Sequence, residues 1–427
     1  MHKEYVSRAG YVAAVMVVVL AFVTVLLKER GVVENITPLV LYLCVVVVFV
    51  VMFAFELFDN HTYRQSHRLS TLNTPFSFHH TNRVKSVILR FAALLLPLLI
   101  AYGIVHGLAW LELGWVRVQS HVLVFYTYAL LLFVGVAPVY LSITLRYRGD
   151  KKYEFNDYAM LTMVGLRAVY FRVTKQQTFA FYRNRRVKKV LLVYVVNFFF
   201  ISLMASFLVN EQREFALAVH KMLQEGYGEQ HWFLQVKNNY SLLFHLLFMI
   251  DVSLAMIGYA FASRWVGNRT KSVDMSITGW MVALACYPPF NNLLSMGMLS
   301  YTNKDTHTLI VSDVGIAIVM VLLLFAYGIY VWSTIALGFK FSNLTNRGIV
   351  TTGPYAYVRH PAYASKNTAW IIDSTFVFTN IWATILFFSW TIVYILRALT
   401  EERHLHKDKV YQVYADKVRY RFIPKVI

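Results

Sequence analysis

Leu39-Val40-Leu41-Tyr42-Leu43-Cys44-Val45-Val46-Val47-Val48-Phe49-Val50-Val51-Met52-Phe53 contains no charged side chain and sits inside an apolar stretch at 38–58. That is long enough for a helix rising 1.5 Å per residue to cross about 30 Å of hydrocarbon. Comparable stretches lie near 10–27, 84–108, 121–145, 187–209, 240–262, 277–299 and 310–338, and two shorter ones follow near 364–379 and 381–397. With 58% hydrophobic and 16% aromatic residues over 427 positions, the composition excludes an ordinary soluble domain. It predicts an all-α, polytopic integral membrane bundle of ten membrane-embedded segments. The first stretch follows Lys3 and Arg8 and precedes Lys28-Glu29-Arg30-Gly31 without a small-residue cleavage site, so it reads as a retained anchor.

Charge orients the bundle, because Lys and Arg prefer the cytoplasmic side of short loops. With a cytoplasmic N-terminus, the inner segments hold 28 Lys and Arg and the outer loops hold 7. This places both termini in the cytoplasm and makes the last two apolar segments a hairpin that enters and leaves on that side, with Asn380 at its turn. The net charge of +19 follows from the same bias and does not call for nucleic acid. The densest basic region, residues 146–189, interleaves cations such as Arg167, Arg172 and Lys175 with aromatics such as Tyr170 and Phe171. It suits an anionic leaflet, either as a topology anchor or as a site for lipid headgroups.

Other features bear less on function. Cys44 and Cys286 fall in apolar stretches and read as packing residues. His79-His80 and His404-Leu405-His406 lack the spacing of helical metal ligands and read as surface histidines, so no metal is expected. Tyr287-Pro288-Pro289 must break or kink the seventh span. Asp251 and Asp373 are acids inside apolar segments and call for partners or a wet pocket, Asp373 being the better functional candidate. Without linkers or repeats, the chain divides only into an N-terminal bundle at 1–300, of unassigned function, and a C-terminal functional unit at 301–427.

The chemistry concentrates in that unit. Thr351-Thr352-Gly353-Pro354 is turn chemistry, and Pro361 favours a helix starting near His360, whose N-terminal amides suit a polar or anionic group. Farther on, Arg397 and Glu401 share a helix face while Glu402 sits about 100° away. These charges could serve a site, or simply clasp each other, Arg397 to Glu401 and Arg359 to Glu402.

The string from Gly353 to Tyr363 (Gly-Pro-Tyr, then Val358-Arg359-His360-Pro361), the Arg397-Ala398-Leu399-Thr400-Glu401-Glu402 segment, and Tyr411, Tyr414, Arg421 and Pro424 together resemble the isoprenylcysteine carboxyl methyltransferase and phospholipid methyltransferase superfamily. Asn343 to Val350 matches the usual lead-in, and the likeness covers about residues 340–427. It implies an integral membrane enzyme binding S-adenosylmethionine in a cytoplasm-facing pocket. By that resemblance Tyr355, His360, Pro361, Tyr363, Glu401 and Glu402 bind the cofactor, and Arg397, Glu401 and Arg359 are catalytic. With Arg397 and Arg359 as a cationic lining, the expected acceptor is a lipid or lipidated amphiphile methylated at a carboxylate or phosphate oxygen, with phospholipid N-methylation as an alternative. Sterol reductases, which would use NADPH, are similar over the same region, sharing Arg-His-Pro-x-Tyr and a closing Tyr420-Arg421-x-x-Pro424; a noncatalytic lipid-binding or transport protein is a third reading. Lys366 and Asn367 depart from the resemblance, being polar where many relatives are apolar or glycine-rich.

The topology has a direct test: in a cysteine-free background, single cysteines at residue 170 and at the C-terminus should both react with an impermeant thiol reagent from the cytoplasmic face. Labelling from opposite faces would refute the orientation.

Overall fold

The computed structural model describes residues 7–32, 37–66, 80–110, 119–146, 162, 185–225, 231–263, 266–291, 310, 312–374, 378 and 381–426. The basic region between 147 and 184 and the turn at Asn380 lie largely outside these residues. The described helices are α1 (Ala9–Glu29), α2 (Pro38–Ser66), α3 (His80–Trp110), α4 (Ser120–Arg146), α5 (Arg185–Glu225), α6 (Trp232–Ala260), α7 (Ile277–Ala285), α8 (Asp313–Leu337), α9 (Pro361–Asp373), α10 (Ile381–Leu405) and α11 (Lys409–Lys417). Seven of them, α1 to α6 and α8, are long and apolar enough to cross a membrane. The chain is a polytopic helical membrane protein, and among the described residues its strands reduce to one short ribbon.

α6 is the axis of the bundle. Met249 to Tyr259 are all buried, the pattern of a helix enclosed on every side. Packed around it are α5, α8 and α1, while α3 and α4 pair at the periphery. Leu131 and Val139 on α4 are exposed, as expected of a face that meets lipid tails.

Helices pack closely in hydrocarbon where small residues let backbones approach. On α1, Ala9, Gly10, Ala13, Ala14 and Ala21 make that contact. A Cβ on Gly10 would stand 1.9 Å from the Ile335 carbonyl oxygen of α8, and one on Gly258 of α6 would stand 2.7 Å from that of Phe341.

Asp251 lies in the buried run of α6 and finds its partners on α8. The Tyr330 hydroxyl donates to Oδ2 at 3.0 Å and the Thr334 hydroxyl donates to Oδ1 at 2.5 Å. Asp373 ends α9, half-buried, about 18 Å along that helix from its first residue.

The end of α6 would leave its last carbonyls unsatisfied. The buried Arg347 side chain donates to the Gly258 and Phe261 carbonyls and to Asn197 of α5. Asn268 donates to the Phe261 and Phe339 carbonyls and accepts the Ser263 amide. Beside them β1 (Ser272–Val273) pairs antiparallel with β2 (Thr345–Asn346), with Ser272 opposite Asn346. The segment leading into the C-terminal motifs is thus bolted to the end of the central helix.

The expected break at Tyr287-Pro288-Pro289 is present: α7 stops at Ala285 and turns follow through Pro289. α9 has 13 residues, about 20 Å, too short to span alone, and its N-terminal end lies beside the C-terminal end of α10. The two therefore form the antiparallel hairpin expected from the sequence.

Gly10→Ala must separate α1 from α8, because the opposing atom is backbone and cannot rotate away. A loss of about 1 to 3 kcal/mol, the usual cost of overpacking, is expected and should appear as a lower unfolding midpoint in detergent, whereas Gly135→Ala, whose new methyl meets no atom of the described residues within 4 Å, should show no such loss.

Candidate active site

Three elements meet at the cleft. α9 starts at Pro361 with His360 as its N-cap, which sends Tyr363 toward α10. The Tyr363 hydroxyl donates to Glu401 Oε2 at 2.7 Å. One turn earlier on the same face of α10, the buried Arg397 sits 5.0 Å from the Tyr363 ring centre, 5.1 Å from Tyr287 and 6.0 Å from Tyr394. Its Nη2 donates to Asn343 Oδ1 at 2.5 Å and to the Tyr287 hydroxyl at 3.1 Å. Asn343 in turn donates from Nδ2 to the hydroxyls of Tyr259 (2.6 Å) and Tyr287 (3.0 Å). An arginine, an amide and two tyrosine hydroxyls thus close a polar network at the end of α6.

Around this network lies a cleft with about 400 Å³ of empty volume, lined by Asp274, Asn343, Tyr363, Arg397, Glu401 and His404 among others. Asp274 accepts the Ser276 amide and hydroxyl through Oδ1. A Cβ on Gly279 would stand 2.1 Å from Asp274 Oδ2, so only glycine leaves room for that carboxylate. His404, read from the sequence as a surface histidine, is instead buried. Its Nε2 pairs with the Ser272 hydroxyl at 3.1 Å while its Nδ1 has no partner among the described residues. Burial pushes it below the ordinary histidine range, a shift that Asp274 opposes, so it is neutral near pH 7.

Glu402 turns the other way, as its 100° offset requires. Its buried carboxylate holds His360 Nε2 at 3.1 Å, Arg359 Nε at 3.2 Å and Arg421 Nε at 3.0 Å. The backbone joins in: Arg359 and His360 amides donate to the Tyr420 and Arg421 carbonyls at 3.0 and 2.8 Å. His360 stacks on Tyr363 with 5.4 Å between ring centres. The Tyr414 hydroxyl donates to the Tyr355 carbonyl at 2.8 Å, anchoring the turn that begins at Gly353, whose φ of +61° favours glycine.

Of the residues singled out from sequence, Arg397, Glu401 and Tyr363 come together on the cleft. His360, Arg359 and Glu402 form a clasp behind it, with Pro361 opening the helix between the two groups and Tyr355 held under α11. Sequence reasoning missed Tyr259, Asp274 and Gly279. The available signal was the hydroxyl of Tyr259 within an apolar helix, a group that needs a partner at membrane depth.

Residues 314–412 match the model of the phospholipid methyltransferase family. The match covers α8 to the first residues of α11 and thereby every cleft residue drawn from α9 and α10. It supports methyl transfer at a membrane as the general activity of this region. No curated protein and no solved structure matches the chain.

Burial alone would raise the Glu402 pKa, but hydrogen bonds and charge from His360, Arg421 and Arg359 outweigh it and bring the carboxyl, which lies beyond the apolar part of α10, from its ordinary 4.5 to about 2. Its folded value is depressed, so the clasp is complete above pH 4.5 and is lost as pH falls from 4.5 toward 2. Glu402→Ala removes one partner from a buried set and should cost about 3 kcal/mol of local stability. Hydrogen exchange should show the Arg359 and His360 amides opening in this variant at neutral pH, and in the parent protein only in that acid window.

Proposed function

We propose that the chain is an S-adenosylmethionine-dependent methyltransferase acting on a membrane amphiphile with an anionic oxygen. The observation that carries this reading is the juxtaposition in one cleft of two carboxylates, Glu401 and Asp274, with the buried guanidinium of Arg397.

The donor set fits the cofactor. Glu401 and Asp274 suit its amino group, ribose hydroxyls and positive sulfur, and His404 Nδ1, which has no partner among the described residues, supplies one more polar contact. Bound there, S-adenosylmethionine would supply an electrophilic methyl carbon whose transfer to an anionic oxygen leaves a neutral thioether and moves no proton. The residues then have separable tasks. Arg397 receives the acceptor anion, since a guanidinium presents a planar fork to a carboxylate or phosphate. Asn343 and Tyr287 hold that guanidinium in one orientation. The Tyr287, Tyr363 and Tyr394 rings keep water from the reacting oxygen, so alignment and desolvation carry the rate. An amine acceptor would first need a general base, typically contributing about 10² to 10⁴-fold. The Glu402 clasp holds His360 and the C-terminal segment behind this cleft, on the side read as cytoplasmic from the charge distribution.

Purified protein should bind S-adenosylmethionine by calorimetry, and Glu401→Gln should weaken that binding about tenfold or more, the expected effect of losing a buried charged partner. Arg397→Lys should leave cofactor binding intact while lowering label transfer from radioactive cofactor to a membrane extract. Release of the label as methanol under mild alkali marks a carboxyl ester. NADPH binding in place of S-adenosylmethionine, or base-stable label on an aminolipid, would overturn the reading.

A further inference from the structure

Lys366 is a half-buried cation outside the lining of the cleft. It lies five residues into α9, about 7.5 Å below the helix start, and Arg397 lies about 6 Å below Glu401 on the neighbouring α10. Arg397 therefore sits deeper than Glu401, and Lys366 deeper than Tyr363. Lys366 Nζ stands 5.4 Å from the Tyr330 ring centre and 5.2 Å from that of Trp370. The Trp370 and Tyr394 rings meet edge to face at 5.0 Å, and the Arg397 guanidinium lies 6.0 Å from the Tyr394 ring centre. One aromatic wall thus carries a cation at each end.

The carboxylate that attracts Lys366 is Asp251 on α6, and it is already engaged by two hydroxyls, those of Tyr330 and Thr334. Among the described residues Lys366 makes no ion pair, and its charged tip is met by ring faces. An ammonium at membrane depth without a directed counter-ion is costly, and Arg397 repels it further. An anion at the wall would satisfy both cations at once. The outer face of α10 exposes Ile385, Phe388 and Ile392 to the surroundings, so an amphiphile can place its tail against that face and its headgroup inward.

Resting on the methyl-transfer reading above, we propose that Lys366 is a second cationic anchor for the acceptor, whose carboxylate or phosphate headgroup is held at the aromatic wall between Lys366 and Arg397. It is a specificity-determining residue: it selects acidic amphiphiles over zwitterionic ones. Arg397 presents the reacting oxygen, and Lys366 neutralises the rest of the headgroup.

The test uses full-length protein in phosphatidylcholine nanodiscs with radiolabelled oleate, dioleoylphosphatidate or phosphatidylcholine as the probe. Calorimetry with S-adenosylmethionine and the thermal unfolding midpoint are followed in parallel. The parent should retain at least one of the two acids in preference to phosphatidylcholine, and the better-retained acid distinguishes carboxylate from phosphate. Lys366→Met should lose about tenfold or more of that preference, while Lys366→Arg keeps it and both bind S-adenosylmethionine as the parent does. Lys366→Gln gives the same reading should the methionine variant fail to fold. A parent without preference for either acid, or a folded Lys366→Met protein that keeps the preference, overturns the proposal. If the parent binds no S-adenosylmethionine yet loses its acid preference on Lys366→Met, the anion site stands and the methyl-transfer reading falls.

Discussion

A buried guanidinium must be solvated by something, and at Arg397 the solvent is Asn343 and three tyrosine rings. Each comes from a different place in the chain: Tyr287 from the break after α7, Asn343 from the loop behind α8, Tyr363 from α9 and Tyr394 from α10 itself. Because an uncompensated charge at this depth would cost several kcal/mol, these elements cannot drift apart independently. Tyr259 extends the constraint to α6 by accepting from both nitrogens of Asn343. The cleft is therefore as rigid as the packing of the central helix.

That coupling explains the role of the segment between α8 and α9. It caps α6 through Arg347, pairs with β1 and delivers Asn343 to Arg397 within a few residues. Asn346 continues the series: its Nδ2 donates to Asp408, which also pairs with Lys271 at 3.1 Å. A lead-in that looks like a linker in one dimension is the joint where bundle, hairpin and C-terminal helix meet.

Two carboxylates adjacent in sequence serve opposite ends of this design. Glu401 faces Tyr363 and the cleft, whereas Glu402 gathers Arg359, His360 and Arg421 and holds the last segment of the chain against the start of α9. A single peptide step of 100° around α10 separates the carboxylate on the cleft from the carboxylate in the clasp. Among the described residues Glu401 accepts the Tyr363 hydroxyl and forms no ion pair, while its neighbour gathers the surrounding positive charge.

Apolar length alone announced the membrane bundle, since hydrocarbon thickness sets a minimum run that few other structures need. Local rules also located the helix start at Pro361, the break before Pro289 and the shared face of Arg397 and Glu401, because each depends on backbone geometry within a few residues. Which groups meet across the bundle was beyond those rules. Nothing near Tyr259 or Asp274 in the chain marks them as neighbours of Arg397, and His404 read as a surface residue because the Ser272 hydroxyl opposite it is 132 positions away. The division between Glu401 and Glu402 was visible as an angle but not as a pair of partners. Helical periodicity is a local property and could be read directly; the pairing of buried charge is decided by packing, which brings distant residues to the same depth and leaves each polar atom only the partners found there.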